Sequence, residues 1–190
     1  MNSSTDTREI VPPASSHPLS RTVDLNIGES KTVELSDGTT ARVKLLDVAV
    51  ARDSVREAVR HVLVTVEVNG EKAVIPGALY TLPQTAGGVQ IDCPVVKAYV
   101  ASSRDNPWAI EADARLRLWP AGSPWIEPGT FTYPVRQRWF ASDTQMANEV
   151  VFVDGPEGTG RQNIYYHNGL DIGGAEGLVE VVSATDGVVI

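Results

Sequence analysis

His167, Gly169 and Asp171 stand in an H-x-G-x-D run close to the end of the 190-residue sequence. An imidazole and a carboxylate are both donors that zinc accepts, and a catalytic zinc site usually combines three protein ligands with a water. In an extended segment, residues four apart project to the same face. His167 and Asp171 can therefore converge on one ion, while Gly169 lets the backbone bend between them. The same two side chains can also simply hydrogen-bond to each other, so the pair alone leaves both readings open.

The residues that follow extend the pattern. After His167, Gly169 and Asp171 come Gly177, then Val179, Val181, Val182 and Ala184, then Asp186, Gly187, Val188 and Val189. In this order of features, residues 164–190 resemble the N-terminal part of the catalytic domain of the M23 peptidases, the lysostaphin/LytM-like zinc endopeptidases. That family opens with H-x-G-x-D and runs through a Gly-containing turn into an apolar strand and a D-G-x-V step. The interval between Gly177 and the Val181 strand is about one residue longer than the family pattern, an insertion that turns tolerate.

The resemblance implies a metalloendopeptidase acting on the peptide cross-links of peptidoglycan, with His167 and Asp171 as zinc ligands. It also implies a location in the cell envelope or outside the cell. In that family a later H-x-H segment supplies the third ligand and a second, assisting histidine. This sequence has only His17, His61 and His167, and no H-x-H. The expectation is a truncated start of the peptidase domain that binds Zn2+ weakly or not at all, is inactive alone and offers no catalytic residue. The alternative is a non-catalytic β-rich binding or structural module with a degenerate peptidase tail.

Other residues that can carry chemistry read more plainly. Cys93 is the single cysteine, which rules out an intramolecular disulfide and any Cys-rich zinc site. Nothing around IDCPVV marks it as a nucleophile, so it is expected to be a small core residue. The run Gly155 to Gln162 spaces its glycines as a phosphate loop does, but lacks the Lys-Ser/Thr pair and leads into a β-like IYYH. It reads as a turn between units. Trp108, Trp119, Trp125 and Trp139 fall within one stretch with Phe131, Tyr133 and Phe140. Aromatic side chains on a β scaffold can stack on sugars or peptides, but core packing is the expected role. His61 is expected at a surface or strand end, and His17 in a mobile leader.

The elements that must position these groups have a period of two. Val23, Leu25 and Ile27 alternate with polar neighbours, and TVEL and TTARVKLLDVAV flank Ser36-Asp37-Gly38. VLVTVEV and EKAVIP flank Asn69-Gly70, the signature of a type I′ hairpin. ARDSVREAVR suits one or two helical turns or an exposed hairpin connection. Further strands are expected at VQIDCPVVKAYVA, ARLRLWP, GTFTYPVRQRWF and NEVVFVDG.

The fold class is therefore all-β: an antiparallel β-sandwich or barrel-like module, followed, as the resemblance implies, by the truncated start of an M23-type β-sheet peptidase domain. The expected divisions are a leader at 1–20, a β-rich accessory module at 21–154, a linker turn at 155–163 and the partial peptidase-like domain at 164–190.

With 42% hydrophobic and 21% charged residues, the chain can bury one good core and a second smaller one. A net charge of −8 with scattered basic residues argues against a nucleic-acid partner. No run approaches the roughly 18 apolar residues of a membrane span, and the first residues show neither the basic nor the apolar part of a signal peptide. The absence of a visible leader leaves a cytoplasmic location open.

Overall fold

The computed structural model describes residues 18–55, 57–79, 81–101, 103, 106–136, 150–152, 164–167 and 176–187. Ten strands are defined: β1 (Arg21–Leu25), β2 (Ser30–Glu34), β3 (Thr40–Arg52), β4 (Val59–Val68), β5 (Glu71–Pro76), β6 (Gln84–Ala86), β7 (Val89–Val96), β8 (Ala114–Pro120), β9 (Val150–Phe152) and β10 (Ile164–Tyr166). The one helix among the described residues, α1, is Lys97–Ala101. The all-β reading holds.

The strands form two four-stranded antiparallel sheets, β2-β3-β4-β5 and β1-β8-β7-β6, with β9 and β10 paired as a separate ribbon. The first sheet is a meander, and two of its three connections were visible as turns in the sequence. At Asn69-Gly70 both residues have positive φ (50° and 88°), as a type I′ turn requires, and Val68 pairs with Glu71 across it. At Ser36-Asp37-Gly38 only Gly38 is left-handed (φ 83°), and the Leu35 N–H donates to the Thr39 carbonyl at 2.7 Å. Asp37 caps that turn by accepting from the Thr39 backbone and hydroxyl at 2.9 and 2.7 Å.

Period-two burial brings the sheets together. On β4, Val62, Val64, Val66 and Val68 are buried, while Arg60, His61 and Leu63 face solvent. Ile91, Leu116, Leu118 and Leu25 from the other sheet join them in one hydrophobic cluster. Each such side chain contributes about 2 kcal/mol when fully buried. A parallel bridge from Gly77 to Cys93 links the end of β5 to β7 at one corner, with the Ala78 N–H donating to the Cys93 carbonyl at 3.0 Å. The architecture is a sandwich with one corner joined. Gly77 lets the chain leave β5 tight against β4, because a Cβ there would lie 2.9 Å from Val62 Cγ1.

Two expectations need correction. VQIDCPVVKAYVA does not remain extended: the strand ends at Val96 and Lys97–Ala101 turns into α1, which buries Tyr99 in the core. In GTFTYPVRQRWF the described part contributes only a single bridge, Val135 to Val181, rather than a regular strand. The open choice over ARDSVREAVR is resolved as a hairpin connection, since β3 and β4 flank it and its described residues contain no helix. No helix among the described residues is long and apolar enough to cross a membrane.

Candidate functional site

His167 follows directly on β10, and that strand is held from beneath. Ile164 is fully buried and Tyr166 nearly so, both within the sandwich's hydrophobic cluster. The Val59 N–H donates to the Tyr166 hydroxyl at 2.7 Å, and the Tyr166 ring meets Tyr99 edge-on, with centroids 4.9 Å apart at 78°. The Tyr99 hydroxyl donates in turn to the Gly77 carbonyl at 3.0 Å. A β-start connection, a corner glycine and the helix α1 thus fix the residue before His167. His167 itself is half-buried and its Nδ1 is buried.

Gly169 and Asp171 lie outside the described residues, as do the Gly155–Gln162 run, Trp139 and His17. The chain is described again from Glu176. Gly177, with φ 72°, sits in a turn, and Val181 then pairs with Val135 in an isolated antiparallel bridge. Arg136 N–H donates to the Glu180 carbonyl (3.0 Å), Val182 N–H to the Pro134 carbonyl (2.8 Å) and Thr132 N–H to the Ala184 carbonyl (2.7 Å). The tail therefore runs back along residues 132–136. Glu176 and Asp186 are both exposed. Among the described residues no three or more His, Cys, Asp or Glu side chains cluster as a metal site.

The other chemical candidates have structural roles. His61 is an exposed residue of β4 opposite Ala51, as expected. Cys93 is fully buried in the sandwich core. Burial, and then the nearby negative charge of Asp92, push its thiol from the ordinary 9.0 up to about 12. Burial also raises the Tyr99 phenol to about 12. The native state therefore holds both protons after the unfolded chain has begun to release them. Their contribution to stability is intact below about pH 9 and is lost as pH rises toward 12. Ellman's reagent at pH 8 should leave Cys93 unmodified in the folded protein and react only when urea unfolds it. Rapid stoichiometric reaction without denaturant would contradict this burial.

None of the described tryptophans joins the hydrophobic cluster between the sheets. Trp119 is buried at 3% exposure, but on the outer face of β8 against Arg117 rather than in the cluster between the sheets, and Trp125 is 45% exposed. The positioning roles of Tyr166 and Tyr99 were not read from the sequence. IYYH carries the signal for the first, because a period of two places Ile164 and Tyr166 on one face.

No family model, curated protein or solved structure matches the chain.

Proposed function

We propose that this chain carries the opening part of an M23-type zinc metalloendopeptidase directed at peptidoglycan peptide cross-links in the cell envelope or outside the cell, with His167 and Asp171 as two zinc ligands. The observation that carries the reading is the order of features from His167 to Val189: H-x-G-x-D, a glycine turn, an apolar strand and D-G-x-V. The left-handed turn at Gly177 is in keeping with that order, whereas the strand expected after it is reduced to a single bridge at Val181. The anchoring of Tyr166 gives the first ligand a fixed base, and preorganised ligands are what metal affinity and catalysis depend on.

The donors match zinc in kind but fall short in number. One imidazole and one carboxylate are half of a tetrahedral set, and the 190 residues contain no H-x-H. Bound zinc supplies Lewis-acid polarisation of a carbonyl and a water that is nucleophilic near neutral pH. The residues of this chain would contribute ligation and orientation.

A second reading has its own support. Ile164 and Tyr166 are part of the sandwich core, so the tail's first strand serves packing whether or not a metal binds. On that reading the protein is a non-catalytic β-rich module with a degenerate peptidase tail.

Calorimetric zinc titration separates the two when applied to the 190-residue chain and to a version extended by the codons that follow Ile190. The peptidase reading expects weak binding by the first and tight, stoichiometric binding by a second that contains H-x-H. A stop codon after Ile190, or an H-x-H extension that adds no affinity, would favour the non-catalytic module.

A further inference from the structure

The outer face of sheet β1-β8-β7-β6 carries a groove of about 440 Å³ whose lining includes Trp108, Trp119 and Trp125 together with the paired Arg117 and Asp92. Alternation along β8 creates it. Ala114, Leu116 and Leu118 point into the core, leaving Arg115 and Arg117 on the outer face. Arg115 is opposite Asp24 and Arg117 opposite Asp92, and each pair forms a two-pronged ion pair.

We propose that this groove binds a peptide segment presenting a large apolar side chain next to a carboxylate. The inference is independent of the zinc reading and concerns the opposite kind of chemistry, recognition rather than cleavage.

The charged part of the site is built around Asp92, which is 3% exposed. Arg117 donates to it through Nε, at 2.9 Å, and through Nη2. A guanidinium offers five N–H donors in a planar fork, so this pairing uses one edge and leaves Nη1 for a second acceptor. The Arg117 side chain is 38% exposed, and its Cζ lies 5.3 Å from the Trp119 ring centroid. The ring fixes the cation's plane from one side. A carboxylate arriving from the groove would meet a fork already held by a buried anion and an indole.

The apolar part is equally fixed. Trp125 donates its indole N–H to Gln90 Oε1 at 2.9 Å, and Trp119 donates its own to the Trp125 carbonyl at 2.9 Å. Gln90 Nε2 donates to the carbonyls of Pro120 and Ser123 at 2.9 and 2.8 Å. The loop after β8 is thus tied to β7, and an exposed aromatic ring is presented without a large ordering cost on binding. Beside it, Leu82 and Ile126 are 70% and 56% exposed. Clustered apolar exposure of this kind marks a recognition surface more often than a lone exposed side chain does.

Satisfaction of the polar groups selects a peptide over a sugar. Both Asp92 oxygens are occupied by Arg117, and the Gln90 amide is spent on the loop. A pyranose would bring several hydroxyls to a lining whose polar side chains are Asp92, Arg117 and Thr81, the last already donating to the Ala78 carbonyl, and unsatisfied buried hydroxyls are costly. An apolar side chain with one carboxylate matches what is left.

The test is an NMR titration of the 190-residue protein, following the indole N–H signals of Trp119 and Trp125. The probes are acetyl-Leu-Phe, acetyl-Phe-Leu and acetyl-Pro-Trp, each as free acid and as amide, and a trimer of N-acetylglucosamine. At least one free acid should shift both signals saturably, and its amide should bind about tenfold more weakly or worse. Trp125→Ala should weaken the acid about tenfold. The double variant Asp92→Asn/Arg117→Gln, which avoids stranding a buried charge, should abolish the distinction between acid and amide. Equal binding of acid and amide, saturation by the glycan trimer alone, no saturation by any acid, or an unaffected Trp125→Ala would each overturn the proposal.

Discussion

His167→Ala and Asp171→Ala, each made in a version of the protein that carries an H-x-H segment, are expected to remove tight zinc binding and cleavage of peptidoglycan peptides together. Losing a group that merely supports a metal ligand typically costs about 10–100-fold in affinity or activity. Losing a ligand outright should exceed that range, because the ion would then retain too few protein donors for a catalytic site. His167→Ala isolates the effect well. Ile164 and Tyr166 hold the preceding strand through core packing and the Val59 hydrogen bond, and neither contact uses the imidazole. The variant should therefore stay folded by circular dichroism while zinc calorimetry and a peptidoglycan-release assay both fail. Activity that survived both substitutions would end the M23 assignment.

Among the described glycines, the largest expected loss of stability from a single methyl group is at Gly87. Its φ is 55°, and a Cβ there would lie 2.1 Å from the Val68 carbonyl oxygen and 2.7 Å from its carbon. Both are backbone atoms of a paired strand, with no flexible side chain to yield. The same residue joins two hairpin ends: its N–H donates to Glu71 Oε2 at 2.8 Å, and its carbonyl accepts from Asn69 Nδ2 at 2.8 Å. Left-handed backbone costs a non-glycine residue about 1–2 kcal/mol, and overpacking adds about 1–3 kcal/mol. Gly87→Ala should thus lower unfolding free energy by about 3 kcal/mol. Gly88 is the internal control, because its φ is 75° but a Cβ would meet nothing within 4 Å. Gly88→Ala should cost about 1 kcal/mol, from backbone strain alone. Urea denaturation of the two variants provides the comparison, and equal losses would show that the Val68 contact is relieved without cost.

The parts of the fold legible in the sequence are those fixed by local rules. Asn69-Gly70 announced its turn because few other residue pairs accept two positive φ angles, and the β4 valines announced their buried face by alternation. The end of β7 was not legible. VVKAYVA continues an apolar run, and only the tertiary pull of Tyr99 toward Tyr166 and the Gly77 carbonyl favours a helical turn there. Of the candidate metal site, the sequence showed the ligand types and their spacing. It did not show that Tyr166 is the anchor, since that depends on Val59, more than a hundred residues away. The groove was harder still. ARLRLWP reveals that two arginines share a face, but their partners Asp24 and Asp92 are set by strand order, and exposure of Trp125 depends on how its loop is tied down.

Strand order also divides the molecule by the length of chain each pairing must close. The meander β2-β3-β4-β5 is stitched through neighbours in sequence, whereas β1 pairs with β8, bringing Arg21 beside Leu118. Closing a loop of roughly a hundred residues costs about 3 kcal/mol more entropy than closing a short hairpin turn. The β1–β8 seam is consequently the part of the sandwich that local contacts support least. It is held instead by the core that the meander presents to Leu25, Leu116 and Leu118, and by the Asp24–Arg115 pair that bolts the seam from outside. Cooperativity follows at that seam: β6, β7 and β8 pair with neighbours in sequence, and β1 joins them only once the core beneath Leu25 is formed.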